Sequence, residues 1–334
     1  MLAFPFVRNA WYVAAWSSEI GRQLTERWLL DEPLVLYRTE NGQAMALGDR
    51  CAHRRYPLAH GRLIGDHIEC AYHGFTFDSS GACVAIPSQD HIPAGLGVRR
   101  YPVVERSGWA WVWMGAPSLA DESQIPDCQW LDDPVWNTVS GTLELNCRYQ
   151  LMNDNLLDLS HLSFVHTDTI GAGYIARSPV KCELHGQVVS VSREMNAVDL
   201  PPLHAKTMGL QNPVDRWQVE EFFPPSYHLV SSGSRSLGDG KVAESRVLNA
   251  LTPNTHATTT YFWAVCFNYP IEPVSMRESQ LHLLHQDAGI VEAQELMVAS
   301  DPDGCEYTPA ADAGVIRGRR LLQELIEAEQ DVPV

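Results

Sequence analysis

From residue 7 to about residue 115, apolar positions come in short runs separated by turn residues. That pattern reads as β-strands joined by tight connections. TERWLLDEPLVLYRTENGQAMALGDRCAH carries such runs around an Asn41-Gly42 hairpin signal. ECAYHGFTFDSSGACVAI turns at Ser80-Gly81, and RRYPVVERSGWAWVWMG near Ser107-Gly108. Residues 116–135 are rich in Pro and Asp and read as a boundary. The pattern then changes. Thr138–Gln150 reads as a strand and Leu151–His166 as an apolar helical segment. Strand-like runs return between residues 180 and 270, in QVVSVSREM, WQVEEFF, SYHLVSSGS and TTTYFWAVCF. Met276–Ser300 reads as a long helix. Ala311–Glu329 reads as a second, amphipathic helix that packs across the sheet. The expected fold class is α+β: an all-β domain over residues 1–120, then a domain over residues 121–334 made of antiparallel sheet with packed helices.

Composition narrows the setting. A chain of 334 residues is long enough for two domains with cores of their own. No run of roughly eighteen apolar residues would span a membrane. The opening MLAFPFVRNAWYVAAW lacks the basic start and cleavage site of a signal peptide, so it reads as part of the fold and the protein as cytoplasmic. A net charge of −17 argues against nucleic acid. It permits a protein partner with a positive patch, although an acidic surface also has the simpler role of solubility. Eight cysteines scattered through the chain are no secreted disulfide framework.

Two of those cysteines stand out by spacing. Cys51-Ala-His53 is followed, after sixteen intervening residues, by Cys70-Ala-Tyr-His73. A Rieske [2Fe-2S] cluster takes two Cys on one iron and two His on the other, and two loops each offering one of each meet that need. A structural zinc also accepts two Cys and two His, but more often through Cys-x2-Cys and His-x3–5-His pairs. The segment NDNLLDLSHLSFVH supplies a second constellation. On one continuous helix, Asn155, His161 and His166 would lie within about 80° of Asp158. Two imidazoles and a carboxylate suit a mononuclear iron(II) with positions open for dioxygen. The plainer alternative is a helix whose histidines are satisfied by core hydrogen bonds.

C-x-H-x16-C-x2-H followed by D-x2-H-x4-H resembles the oxygenase component of the Rieske non-haem iron oxygenases, over nearly the whole chain. FVRNAWYVAAW, YPVVER and NDNLLDLSHLSFVH resemble most the branch containing vanillate O-demethylase, dicamba monooxygenase and toluenesulfonate methyl-monooxygenase. Two positions depart from the family pattern: Ala71 stands where Pro is usual and Phe75 where Trp is usual. The resemblance implies a helix-grip catalytic domain, a cluster on Cys51, His53, Cys70 and His73, and an iron(II) on His161, His166 and a carboxylate far downstream. On the wheel of Met276–Ser300, Leu283, Leu284, Ile290, Val291 and Val298 fall within about 60° of Asp287, whereas Glu292 faces away. Asp287 is thus the acid expected inside, and it must be paired or coordinated there; an arginine is the alternative partner.

Asp158 then reads as a carboxylate that orients His161. The resemblance gives it a further role, bridging His161 to the His73 of a neighbouring copy in a homotrimer. Asn155 either orders that network or makes an ordinary hydrogen bond. Trp217, Phe222, Phe223, Tyr227, Trp263 and Phe267 suit a flat substrate, or a plain core. Leu159 and Leu162 are expected as pocket walls, and His228, Asn249 and Trp263 as substrate contacts. Asn249 stands where dicamba monooxygenase has a histidine, which weakens carboxylate binding there unless His228 or Arg246 compensates. The chain shows no G-x-G-x-x-G fingerprint, so electrons are expected from NAD(P)H through a separate ferredoxin or flavin reductase. The expected reaction is O2-dependent O-demethylation of a vanillate-like aromatic acid. Hydroxylation of an aryl methyl group or ring carbon is the alternative, and an electron carrier or redox sensor the alternative of another class.

Overall fold

The computed structural model describes residues 6–330; the expectation that Met1–Pro5 join the fold lies outside them. The chain separates into two units. One holds Arg8–Ile125 with Thr252–His256, and the other takes in Pro126–Leu251 and residues 257–330.

The smaller unit is all β. Its strands are β1 (Trp11–Trp16), β2 (Thr25–Leu29), β3 (Glu32–Arg38), β4 (Ala44–Gly48), β5 (Arg62–Ile64), β6 (His67–Glu69), β7 (Thr76–Phe77), β8 (Cys83–Ala85), β9 (Arg100–Tyr101), β10 (Val103–Arg106) and β11 (Trp109–Trp113). They form three antiparallel sheets, ordered β1-β11-β10, β2-β3-β4-β9 and β5-β6-β7-β8. β11, WAWVW, is buried at every position and pairs Trp113 with Trp11 and Trp109 with Trp16 across to β1. The Asn41-Gly42 hairpin joins β3 to β4, with Gly42 at the positive φ such a turn demands. A core of Val35, Tyr37, Leu47, Leu58, Ile68 and Phe77 encloses the Cys51 and Cys70 side chains.

The larger unit is built on one seven-stranded antiparallel sheet. Its strands are β12 (Asn137–Leu145), β13 (Lys181–His185), β14 (Val188–Val198), β15 (Val214–Phe223), β16 (Tyr227–Ser236), β17 (Val242–Thr255) and β18 (Thr258–Phe267), ordered β12-β18-β17-β16-β15-β14-β13. Burial alternates strictly along β15, so Val214, Arg216, Gln218, Glu220 and Phe222 share one face. Helices cover that face: α1 (Tyr149–Leu157), α4 (Pro273–Ser300) and α5 (Ala313–Gln330). α5 approaches through two glycines, where a Cβ on Gly314 would strike Val191 and one on Gly318 would strike Leu157. Two short helices, α2 (Leu162–Val165) and α3 (Pro202–Thr207), complete the unit.

Three expected elements differ. The strand expected over Thr138–Gln150 stops at Leu145, because Arg148 turns to bind Glu295 of α4 through its backbone N–H and guanidinium. The single helix over Leu151–His166 is broken at Asp158, whose backbone is extended (φ −123°, ψ 91°) and whose carboxylate accepts the Ser160 N–H at 2.9 Å. A short side chain that captures a backbone donor ends one helix and starts the next. α4 begins earlier than expected: Pro273 sits in its first turn, and Glu272 accepts the N–H groups of Val274 and Ser275.

Candidate metal centres

The two Cys-His loops of the smaller unit are near copies of each other. Cys51 N–H donates to Tyr56 O and Arg55 N–H to Cys51 O; Cys70 N–H donates to Phe75 O and Gly74 N–H to Cys70 O. Each loop turns back through a residue at positive φ, Arg55 in one and Gly74 in the other. The folding leaves Cys51 and Cys70 buried and His53 and His73 exposed. The two imidazoles lie with ring centroids 4.5 Å apart, and Phe75 stacks on His53 at 4.7 Å. Burial pushes the Cys51 thiol up to about 11, and the Cys70 sulfur beside it adds to the shift. Two adjacent buried sulfurs and two neighbouring exposed imidazoles fit the donor set of a Rieske cluster, in which the sulfurs would take one iron and the imidazoles the other.

In the larger unit, ligand atoms of His161, His166 and Asp287 all lie within 4.8 Å of one another. His161 Nε2 and His166 Nε2 approach Asp287 Oδ1 at 3.6 and 3.2 Å. The outer nitrogens are both taken: His161 Nδ1 donates to the Asp158 backbone carbonyl at 2.7 Å, and His166 Nδ1 to Gln286 Oε1 at 2.8 Å. That fixes both rings with Nε2 toward the carboxylate. Burial holds His161 below the ordinary imidazole value; at His166 burial acts the same way but the Asp287 carboxylate outweighs it, and the ring is held above. Asp287 Oδ1 is buried and has no hydrogen-bond partner among the described residues. A buried carboxylate oxygen left in that state, facing two oriented imidazoles, fits a bound cation. The three groups supply a 2-His-1-carboxylate set.

α4 buries a second acid that the helical wheel did not single out. Glu295 lies inside and is bound in bidentate fashion by Arg148 at 2.7 and 2.8 Å. The arginine partner considered for Asp287 is therefore found at Glu295, and Asp287 faces histidines. Ile290, expected on the inner face, is exposed.

The remaining candidate residues are more dispersed. The Asp158 carboxylate does not bind His161. It accepts the N–H and hydroxyl of Ser160, and Arg193 Nη2 lies 3.7 Å away. Asn155 Oδ1 is buried without a partner among the described residues. Leu159 and Leu162 pack with Ile175, Met195 and Val230 in one apolar cluster. His228 is fully buried with both ring nitrogens engaged, one by Glu220 and one by Asn153, so it has none to offer a substrate. Asn249, opposite His228 in the β16–β17 register, accepts from the Tyr261 hydroxyl. Arg246 points to the other face of the sheet, over Trp130 and Trp136, and cannot compensate for Asn249. Trp217 and Phe223 likewise alternate away from Phe222. Trp263 is buried against Gly141, and its Nε1 has no partner among the described residues. No described helix is long and apolar enough to cross a membrane.

Two family models match the chain: the Rieske [2Fe-2S] domain over residues 10–102 and the vanillate O-demethylase oxygenase C-terminal domain over residues 145–328. The iron-sulfur subunit of the toluene-4-sulfonate monooxygenase system of Comamonas testosteroni is 36% identical, over 97% of this chain and 98% of that one. The oxygenase component of dicamba O-demethylase from Stenotrophomonas maltophilia is 37% identical, over 97% and 99%. The vanillate O-demethylase oxygenase subunit of a Pseudomonas species is 33% identical, over 98% and 96%. The crystal structure of dicamba monooxygenase bound to 3,6-dichlorosalicylic acid superposes with a TM-score of 0.90 at 33% identity, covering 98% of this chain and all of that one. With both halves matched by family models and relatives similar over almost their whole length, the chain belongs to the Rieske non-haem iron oxygenases, as the oxygenase component of a monooxygenase system in the vanillate O-demethylase branch.

Proposed function

We propose that the chain O-demethylates a small, vanillate-like methoxy-aromatic acid with O2, releasing formaldehyde. Similarity over almost the whole chain to two oxygenase subunits named as O-demethylases carries this reading. Cys51, His53, Cys70 and His73 hold the cluster, and His161, His166 and Asp287 hold the iron(II). When bound, these groups supply single electrons and activate dioxygen. The reaction balances as ArOCH3 + O2 + 2e⁻ + 2H⁺ → ArOCH2OH + H2O, and the hemiacetal then collapses to ArOH and formaldehyde. The Asp158 carbonyl and the Gln286 side chain keep both imidazoles aimed inward. Leu159 and Leu162 form an apolar wall beside His161 that excludes water and contacts the ring. Trp263 offers its free buried N–H to a substrate oxygen. Electrons come from NAD(P)H through a separate ferredoxin or flavin reductase, and three copies assemble so that Asp158 of one meets the cluster of the next.

A second reading, hydroxylation of an aryl methyl group, is favoured by the relative named as a toluene-4-sulfonate monooxygenase. Oxygen uptake and formaldehyde, measured with a compatible reductase over a panel including 4-methoxybenzoate and toluene-4-sulfonate, separate the two. Formaldehyde and a phenol in equal amounts are expected. A hydroxymethyl product, with no formaldehyde from any methoxy-aromatic, would overturn the demethylase reading. Absence of substrate-dependent oxygen uptake across the panel would favour an electron carrier or sensor.

A further inference from the structure

Two arginines are buried on the helix-facing side of the large sheet, and they are compensated differently. Arg193 has Asp158 at 3.7 Å. Arg216 is 2% exposed and has no carboxylate within ion-pair distance among the described residues. Its Nη1 donates to the Tyr174 hydroxyl and its Nη2 to His204 Nδ1 at 3.2 Å, while Nε has no partner. Burial, with the guanidinium next to it, pushes His204 down to about 3, so His204 is a neutral acceptor and brings no negative charge. A buried cation without a counter-charge is unfavourable, and an anion brought against it would relieve that cost.

The position of Arg216 ties it to the apolar cluster beside His161. It stands directly opposite Met195 in the β14–β15 register, so the two share a face, and Met195 packs with the Leu159 and Leu162 that flank His161. Tyr174, which steadies Arg216, packs against the same cluster. Ser234, opposite Arg216 on β16, has a buried hydroxyl without a partner among the described residues, and so does the Gln218 side-chain oxygen two residues along β15. His204 rides on α3, whose Leu203 N–H donates to Thr169 O; the Thr169 N–H in turn donates to His166 O. The segment that carries His204 is therefore two hydrogen bonds from a residue that faces Asp287.

We propose that Arg216, with the Ser234 hydroxyl, is the anchor for the acid group of the substrate, a carboxylate or a sulfonate on an aromatic ring. This rests on the aromatic-substrate reading above and adds the residue that selects acids over neutral rings. It moves the acid recognition of this chain away from Asn249, whose oxygen is already committed to Tyr261.

The test uses the protein loaded with both metal centres. Dissociation constants are measured by calorimetry for 4-methoxybenzoate, toluene-4-sulfonate and the neutral 4-methoxybenzamide. The native chain should bind the acids about 10–100-fold more tightly than the amide, the worth of one charged hydrogen-bonded contact. Arg216→Gln should erase that ratio by weakening binding of the acids, with a much smaller change in the amide constant. Its ligand-free melting temperature should equal or exceed that of the native chain, since the uncompensated charge is gone. Arg216→Lys covers the case in which Gln does not fold. It keeps the charge without the planar fork, so its acid preference should be present but weakened, and an unweakened ratio counts against the proposal. If Arg216→Gln retains the native ratio, acids are held elsewhere, the proposal is wrong and the aromatic-acid reading stands. If the native chain itself shows no preference for acids, the anchor and the acid substrate class fall together. A purely structural Arg216 would lower the melting temperature on substitution and leave the ratio untouched.

Discussion

Asp287 and Glu295 sit on the buried side of the same helix, and their partners give them different work. Glu295 is neutralised by Arg148 and fastens α4 to the start of α1. Asp287 faces the His161 and His166 imidazoles, with Oδ1 unsatisfied among the described residues. Removing Asp287 should therefore cost the metal-free protein little and the metal-bound protein its iron. The native protein should be brown and carry about three irons per chain. Asp287→Ala should retain the colour and two irons, lose the third, and lose the rise in melting temperature that added iron(II) gives the native chain. Cys51→Ala or His73→Ala should instead bleach the protein. A colourless native protein holding stoichiometric zinc would contradict the assignment of both centres.

At the scale of elements, the sequence was most legible where pattern and chemistry are local. The Cys-His loops, the Asn41-Gly42 hairpin and the long strands all follow from spacing and turn residues. The sequence marked His161 and His166 as a candidate pair but not their geometry, because a helical wheel presumes one continuous helix. Asp158 breaks that helix by capping Ser160, and the break brings the two imidazoles to one carboxylate. What periodicity missed was long-range pairing. His228 looked available until Asn153 and Glu220 occupied it, and Glu295 was overlooked until Arg148 reached it from 147 residues away. Such partners are set by tertiary contact. The Arg148–Glu295 pair supplies a stability test. Arg148→Met leaves a carboxylate buried without its cation and should cost about 3 kcal/mol, read as a fall in the denaturation midpoint. Replacing Glu295 by Leu in the same chain should restore much of that loss. An unchanged midpoint in Arg148→Met would mean that the pair contributes nothing to holding α4.

At the scale of the whole molecule, the cluster loops and the His161–His166–Asp287 set belong to different units of the chain, and the proposed reaction needs electrons to pass from one kind of centre to the other. The family resemblance implies a closed threefold ring in which Asp158 meets His73 of a neighbouring copy. Sedimentation should accordingly give three times the chain mass of 37.3 kDa. Asp158 suits a role at such a junction: its side chain is 22% exposed, and one edge of the carboxylate is held by Ser160. Asp158→Asn isolates the charge. Asn caps a helix about as well as Asp, so the break before His161 should survive. His161 Nδ1 bonds the backbone carbonyl of residue 158, which the substitution leaves in place, so the ring should stay aimed at Asp287. The variant is expected to fold, assemble, keep its colour and keep its mononuclear iron. In the proposed assembly the Asp158 carbonyl holds His161 while its carboxylate meets the neighbour's cluster, so loss of that negative charge should drop turnover nearly to zero. If Asp158 served only to shape the iron site, the variant would bind iron about 10–100-fold more weakly and recover activity with excess iron(II). Rapid mixing of the reduced variant with oxygen and substrate decides between them. A cluster that reoxidises at the native rate, with product formed, would show that electrons do not need Asp158.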